Sequence, residues 1–181
     1  MNHLNLHLAP WPMVLVGFTI AQRIFELVIS AVHRRRVLAM GAVEYGLRHF
    51  PFIVAVHVFF MLAIVFEVAF YHTHPGPMWP LWLALWVAAQ AVRYAAIRAL
   101  GDRWNVRVLV VPGMAPVRTG VYRWVRHPNY VAIVTEFIAA PMIFGAWRTA
   151  IVASALNAVA LAVRIRCENA ALQRAAVASS R

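Results

Sequence analysis

The chain has little of what a soluble enzyme uses to build a site. Its single cysteine, Cys167, excludes an internal disulfide and any cysteine-pair metal centre, and at the end of an apolar run it reads as a small hydrophobe. The eight glycines are scattered, with no two in a G-x-G relation, so the glycine-rich nucleotide loop of a doubly wound sheet is absent. Acidic residues number six against seventeen basic ones, and only 13% of the chain is charged. His72 and His74 have the alternate spacing of metal ligands on a strand, but no carboxylate or cysteine accompanies them on their connection, so no metal is expected. No internal repeat or low-complexity tract is visible, and residues 1–181 are expected to form one domain.

Apolar residues are what the chain has in abundance. They make up 63% of it, and the mean hydropathy is +0.70, the profile of a membrane protein. The net charge of +11 would suggest nucleic acid on a soluble domain. Here the arginines cluster between long apolar segments, which membrane topology explains better, so lipid and not nucleic acid is the expected surrounding. Runs near the length needed to cross a hydrocarbon core of about 30 Å stand at Trp11 to Val32, Phe50 to Tyr71, Trp79 to Ile97, Tyr130 to Trp147 and Thr149 to Val163. The expected fold is all-α, a polytopic bundle of about five transmembrane helices. The last two runs are short or interrupted. Pro141 and the turn GAW, Gly145 to Trp147, predict a helical hairpin there, and four spans plus a re-entrant pair is the alternative reading.

The arginines also predict orientation, because positive residues are retained on the cytoplasmic side. Arg34, Arg35, Arg36 and Arg48 follow the first run; Arg98, Arg103, Arg107, Arg118, Arg123 and Arg126 follow the third; Arg164, Arg166, Arg174 and Arg181 follow the fifth. The segment up to Pro10 and the connection YHTHPGPM have none, and the fourth connection has only Arg148. This alternation puts the amino terminus outside and the carboxyl terminus in the cytoplasm. The first run lacks a basic start, carries Arg23 and Glu26, and leads into three arginines, so it reads as a retained span and not a secretory signal.

Between the third and fourth runs lies the most polar stretch, Arg98 to Pro128. Within it DRWNVRVLVV has strand-like character before PG and AP turn signals. A short extended piece on the cytoplasmic face is expected, and it is a candidate lid. The stretch ends in GVYRWVRHPNY, Gly120 to Tyr130, directly against an apolar run that contains Glu136. Proline suits the first turn of a helix, where its missing N–H would be unpaired anyway, so HPNY reads as a helix start. The free amides of such a start attract carboxylate or phosphate, and Arg123, Arg126 and His127 stand just before it. Arginine and histidine at a membrane helix end also serve as interfacial anchors, so two readings of these residues stand side by side.

Several polar groups lie deeper. Glu136 shares a helix face with Asn129, about two turns further in. Asn157, Leu161, Arg164 and Glu168 recur at helical spacing and form a stripe on the fifth run, and Gln90 and Arg93 are three apart on the third. Ionisable groups at such depth face a partner or a cavity. Glu136 is expected to pair with Arg93 or Arg164, Arg23 and Glu26 to satisfy each other, and Glu67 to be interfacial.

GVYRWVRHPNY followed by an apolar helix, with RIRCENAAL near the carboxyl end, resembles the isoprenylcysteine carboxyl methyltransferase superfamily of small integral membrane enzymes. That group also takes in phospholipid N-methyltransferases. Its GxYRxxRHPxY signature is matched by Gly120, Tyr122, Arg123, Arg126, His127, Pro128 and Tyr130. The stretches GAVEYGLRHFPFIVAVHVFF and LGDRWNVRVLVVPGMAPVRTG are similar to a bacterial branch that O-methylates alkylpyrones and alkylresorcinols, so the resemblance runs from about Gln22 to Leu172. Two departures stand out. The family's second glutamate is Asn169 here, leaving Glu168 alone, and the aromatic tail of protein-directed members does not follow.

The resemblance implies an S-adenosylmethionine-dependent O-methyltransferase acting on a lipophilic substrate, either alkylpyrone or alkylresorcinol in type or an isoprenylcysteine carboxylate. It implies a cofactor site on the cytoplasmic face formed by Tyr122, Arg126, His127, Pro128, Tyr130, Glu168 and Asn169. Arg93, Glu136 and Arg164 are the candidates to steer the acceptor oxygen. A nicotinamide-dependent membrane reductase, which shares an RHPNY-like element, and a non-catalytic lipid-binding protein are the alternatives.

Overall fold

The structure, a computed structural model, describes residues 10–178, with side chains from 14 to 175; the arginine-free segment before Pro10 and Arg181 lie outside it. Five helices run α1 Pro10–Ala39, α2 Phe50–Tyr71, α3 Trp79–Leu100, α4 Pro128–Ile143 and α5 Trp147–Ala178. Four of the starts carry a proline in the first turn, Pro10, Pro51, Pro80 and Pro128, where the ring fits and no hydrogen bond is lost. The helices follow the five apolar runs, but the last two differ from the expectation. At 1.5 Å per residue α4 is about 24 Å long, less than the bilayer core of about 30 Å, whereas α1, α2, α3 and α5 are each long and apolar enough to cross. Helix α5 runs for 32 residues, well past Val163, because the polar stripe through Arg164 and Glu168 continues the helix instead of ending it. Cys167 accordingly sits inside α5, not at its end.

The core is built from one face of each helix. On α2 the buried positions Val56, Phe60, Ile64 and Val68 recur every four residues, while Val58, Leu62 and Phe66 are 53–64% exposed on the opposite side. In a chain of this hydropathy that outward face meets lipid. Phe60 stacks on Phe137 of α4 with ring centroids 4.1 Å apart. Ala146, Ala153 and Ala160 repeat every seventh residue and are all buried, the small-residue contact by which membrane helices approach closely.

The predicted hairpin is present. Helix α4 stops at Ile143 and the chain reverses through Gly145, whose φ of +72° favours glycine. A Cβ there would stand 2.4 Å from the His74 carbonyl oxygen, so the turn is tucked against the α2–α3 connection. Glu67, expected to be interfacial, lies near the end of α2 with its carboxylate buried. It is 3% exposed and accepts hydrogen bonds from the Arg148 and Thr149 amides at 3.1 and 2.6 Å, so its carboxylate caps the first turn of α5, where amides have no helical partner and the dipole favours an anion.

At the other end of the bundle two short strands pair antiparallel, β1 Val43–Tyr45 and β2 Val108–Val110, with Val43 opposite Val110. The extended piece read from DRWNVRVLVV is β2. Its partner β1 was not foreseen. Val108 and Val110 rest on Ala171, flanked by Cys167 and Ala175, positions four apart on one face of α5. That helix therefore projects beyond the start of α4 and carries the two-stranded sheet on its side.

Candidate functional site

Where α4 begins, α5 passes it, and the segment 100–127 folds back over both, they enclose a cavity of about 730 Å³, within the range of about 300–1,000 Å³ common to small-molecule sites. Tyr122, Arg126, His127, Tyr130, Glu168 and Asn169 all line it. Pro128 does not. It is buried behind the wall and starts α4, with His127 as the preceding cap residue. Of the three residues expected to steer an acceptor, Arg164 lines the cavity, whereas Arg93 and Glu136 lie elsewhere.

Arg164 is the hub of the site. Its Nε donates to the Tyr130 hydroxyl at 3.0 Å, and its two terminal nitrogens donate to the backbone carbonyls of Val106 and, at 3.3 Å, Asn105. The Tyr130 hydroxyl donates in turn to Glu168, and the His127 ring stacks on the Tyr130 ring at 5.1 Å. One guanidinium thus joins α5, the start of α4 and the strand segment that roofs the cavity. The planar fork of arginine suits such a multiple contact.

The roof is held from its far side by α1. Asn105 exchanges hydrogen bonds with Ser30, from the Ser30 hydroxyl at 2.8 Å and to the Ser30 carbonyl at 3.0 Å, while the Val106 amide donates to that hydroxyl at 3.1 Å. His33 Nδ1 lies 3.0 Å from the Trp104 carbonyl oxygen. Glu44 on β1 clasps Arg34 of α1 and Arg107 beside β2, each at 2.7 Å. Burial acts to raise the Glu44 carboxyl, but hydrogen bonds from Arg34 and Arg107 outweigh it and hold the group below its ordinary value of 4.5. A carboxyl lowered in the folded state stabilises it above the unfolded value and stops doing so as pH falls through the lowered one. The stability gap between wild type and Glu44→Gln is therefore expected at neutral pH and to close as the medium is acidified below about pH 4.5, measured as melting temperature against pH.

Asn129 and Trp104 line the cavity, and one polar atom of each, Asn129 Oδ1 and Trp104 Nε1, is buried with no hydrogen-bond partner among the described residues. Such orphans carry a desolvation cost of about 1–3 kcal/mol. Tyr122, by contrast, is no base, because burial and then the charge of Glu168 push its hydroxyl up to about 12.

Beneath the cavity lies a separate ion cluster. Glu136, 1% exposed, pairs with both Arg93 and Arg23. Arg23 also holds Glu26 at 2.6 Å, and Arg93 lies 3.5 Å from the same carboxylate. Gln22 joins α1 to α3 by a 2.6 Å hydrogen bond to Gln90. Of the two partners the sequence offers Glu136, Arg93 is the one it meets, while Arg164 is engaged at the cavity; the sharing with Arg23 has no signal in the sequence, because spacing on one helix cannot show which neighbouring helix meets it. Asn129 and Trp104 were likewise missed as cavity groups. Only the position of Asn129, one residue into a helix start, could have flagged it.

The fold and the site define an integral membrane protein, a helix bundle with a polar cavity at one end. Residues 82–174 match the model of the isoprenylcysteine carboxyl methyltransferase (ICMT) family. The uncharacterized protein YpbQ of Bacillus subtilis is 37% identical over 164 residues, covering 91% of this chain and 98% of that protein. An uncharacterized protein of Haemophilus influenzae is 30% identical over 154 residues, 84% of this chain and 90% of the relative. The chain belongs to the isoprenylcysteine carboxyl methyltransferase family and is a membrane methyltransferase. No solved structure matches it. The family match favours methyl transfer over the reductase reading.

Proposed function

We propose that the protein is an S-adenosylmethionine-dependent O-methyltransferase whose acceptor is a lipophilic hydroxyl or carboxyl compound drawn from the bilayer, of the alkylpyrone, alkylresorcinol or isoprenylcysteine type. The observation that carries this reading is the convergence, on one cavity, of the Arg126–Tyr130 helix start with Arg164, Glu168 and Asn169 of α5. The residues fit the cofactor. Arg126 and His127, which line the cavity just before the start of α4, suit a carboxylate. The Glu168 carboxylate and the Asn169 carboxamide, both on the cavity wall, offer acceptors for an amine and ribose hydroxyls, so the asparagine keeps an acceptor where the family has its second glutamate.

When bound, S-adenosylmethionine supplies a methyl group on a sulfonium. Transfer to an oxyanion neutralises charge, so a site shielded from water favours it, and alignment supplies much of the rest. In this chain the roof of residues 104–107 shields the cavity, and Arg164 is the cation that faces an incoming oxyanion. Arg93 and Glu136 neutralise each other beneath and hold the helices on which the site stands. An acidic hydroxypyrone or a carboxylate arrives ionised; a resorcinol hydroxyl, near pKa 10 like tyrosine, gives its proton to water, and the Arg164 cation favours the phenolate left behind.

The cavity face is the cytoplasmic one in this proposal. The described connections on that side carry nearly all of the loop arginines, and the opposite side has Arg148. The test is transfer of labelled methyl from S-adenosylmethionine to hydroxypyrone, resorcinol and isoprenylcysteine acceptors by the purified protein in lipid nanodiscs. Label is expected in the solvent-extractable product. Release by mild alkali marks a methyl ester and resistance an aryl ether; no transfer to any acceptor would count against the reading.

A further inference from the structure

Outside the cavity, a second, open groove runs between the end of α3 and the segment Thr119–Trp124. Its floor is apolar, from Ala95, Ala99 and Val121, and Arg98 and Arg123 stand over it. No acidic residue lines it. Neither arginine has an ion-pair partner among the described residues, and Arg123 has only the Trp124 ring, 5.4 Å away. Trp124 is 82% exposed, more than any other large apolar side chain described. Gly120, at φ +57°, brings the backbone close to α3, where an added Cβ would meet that of Ala99 at 3.3 Å.

Unpaired arginines above an apolar trough, beside an exposed indole, have the chemistry of a phosphate over an acyl chain. Arginine binds phosphate through its fork of donors, indole rings settle at headgroup level, and the end of α3 lies where the apolar helix gives way to polar chain. We infer that this groove binds one anionic phospholipid, its phosphate between Arg98 and Arg123 and a chain along Ala95 and Ala99. The site goes beyond methyl transfer. It adjoins the cavity, since Arg123 and Trp124 line both, but it needs neither cofactor nor acceptor.

The experiment compares lipids retained by the protein in native mass spectrometry after exchange into mixed phosphatidylglycerol and phosphatidylcholine. Arg98 serves as the probe because it does not line the cavity. Wild type is expected to retain one phosphatidylglycerol in preference to phosphatidylcholine, and Arg98→Gln to lose about five-fold of that preference, as roughly 1 kcal/mol for one arginine at an anionic surface converts. Melting temperature of the variant checks that it is folded. Equal retention of the two lipids by wild type, or an unchanged preference in folded Arg98→Gln, would overturn the inference. So would displacement of the lipid by millimolar inorganic phosphate, which would make the groove a free-phosphate site. Because the readout contains no S-adenosylmethionine, its failure and that of the methyltransferase reading are separable.

Discussion

Glu136→Gln is expected to destabilise the protein by about 3–5 kcal/mol, the usual cost of removing one partner of a buried ion pair, and to be the most damaging single change in the bundle. Glu136 is the carboxylate shared by Arg93 and Arg23, and Arg93 is 2% exposed. Two arginines balance two glutamates in the intact cluster. Without Glu136, two guanidiniums face Glu26 alone, and arginine does not escape by losing its proton. The loss therefore falls on the packing of α1, α3 and α4 together. A compensating change makes the argument specific. Arg23→Gln with Glu136→Gln leaves Arg93 and Glu26, 3.5 Å apart, as a neutral pair, so the double variant is expected to melt well above the single one. Melting followed by size exclusion in detergent reads both. A Glu136→Gln protein as stable as wild type would mean that the cluster is not a mutual charge balance.

Arg164→Met has the largest expected effect on function with the bundle intact. The guanidinium touches the Tyr130 hydroxyl and two backbone carbonyls of the roof, all from one half-exposed position on α5. Removing it frees residues 105 and 106 on the cavity side and leaves the Tyr130–Glu168 pair without its cation. Hydrogen bonds to a charged group contribute about 1.5–3 kcal/mol each and do not add simply, so a loss of at least about ten-fold in cofactor affinity is expected, with a larger loss of turnover if Arg164 also meets the acceptor oxygen. Arg164→Lys is expected to recover little, because an ammonium cannot reproduce the planar fork. Calorimetry with S-adenosylhomocysteine reads affinity and the methyl-transfer assay reads turnover. Full recovery by lysine would reduce Arg164 to a simple charge.

The sequence carried much of the architecture because lipid demands long apolar helices and punishes irregular backbone. Pro128 could be read as a helix start, and Pro141 with Gly145 as a hairpin, since both residues act through local backbone geometry. The lengths of α4 and α5 were less accessible. A polar stripe through Arg164 and Glu168 ends a hydropathy run without ending a helix. Strand β1 is three residues long, too short for alternation to signal, and exists because β2 and Glu44 hold it. Among the site residues, those of the RHPNY element other than Pro128, with Arg164, Glu168 and Asn169 of α5, converge on the cavity, while Arg93 and Glu136 share the chemistry of a site but not its place. Depth on a helix could be counted from spacing; the neighbour across the bundle could not, and the capping of α5 by Glu67 from α2 shows the same limit.

The most direct measurement is calorimetric binding of S-adenosylhomocysteine to the purified protein, beside His127→Ala and with NADPH as a competing ligand. His127 stacks on Tyr130 at the mouth of α4 and makes no ion pair among the described residues, so its alanine variant is expected to fold. Binding by wild type is expected, with affinity at least about ten-fold weaker in the folded variant and no competition from NADPH. Absence of binding by wild type, equal affinity in the variant, or displacement by NADPH would contradict the proposed function.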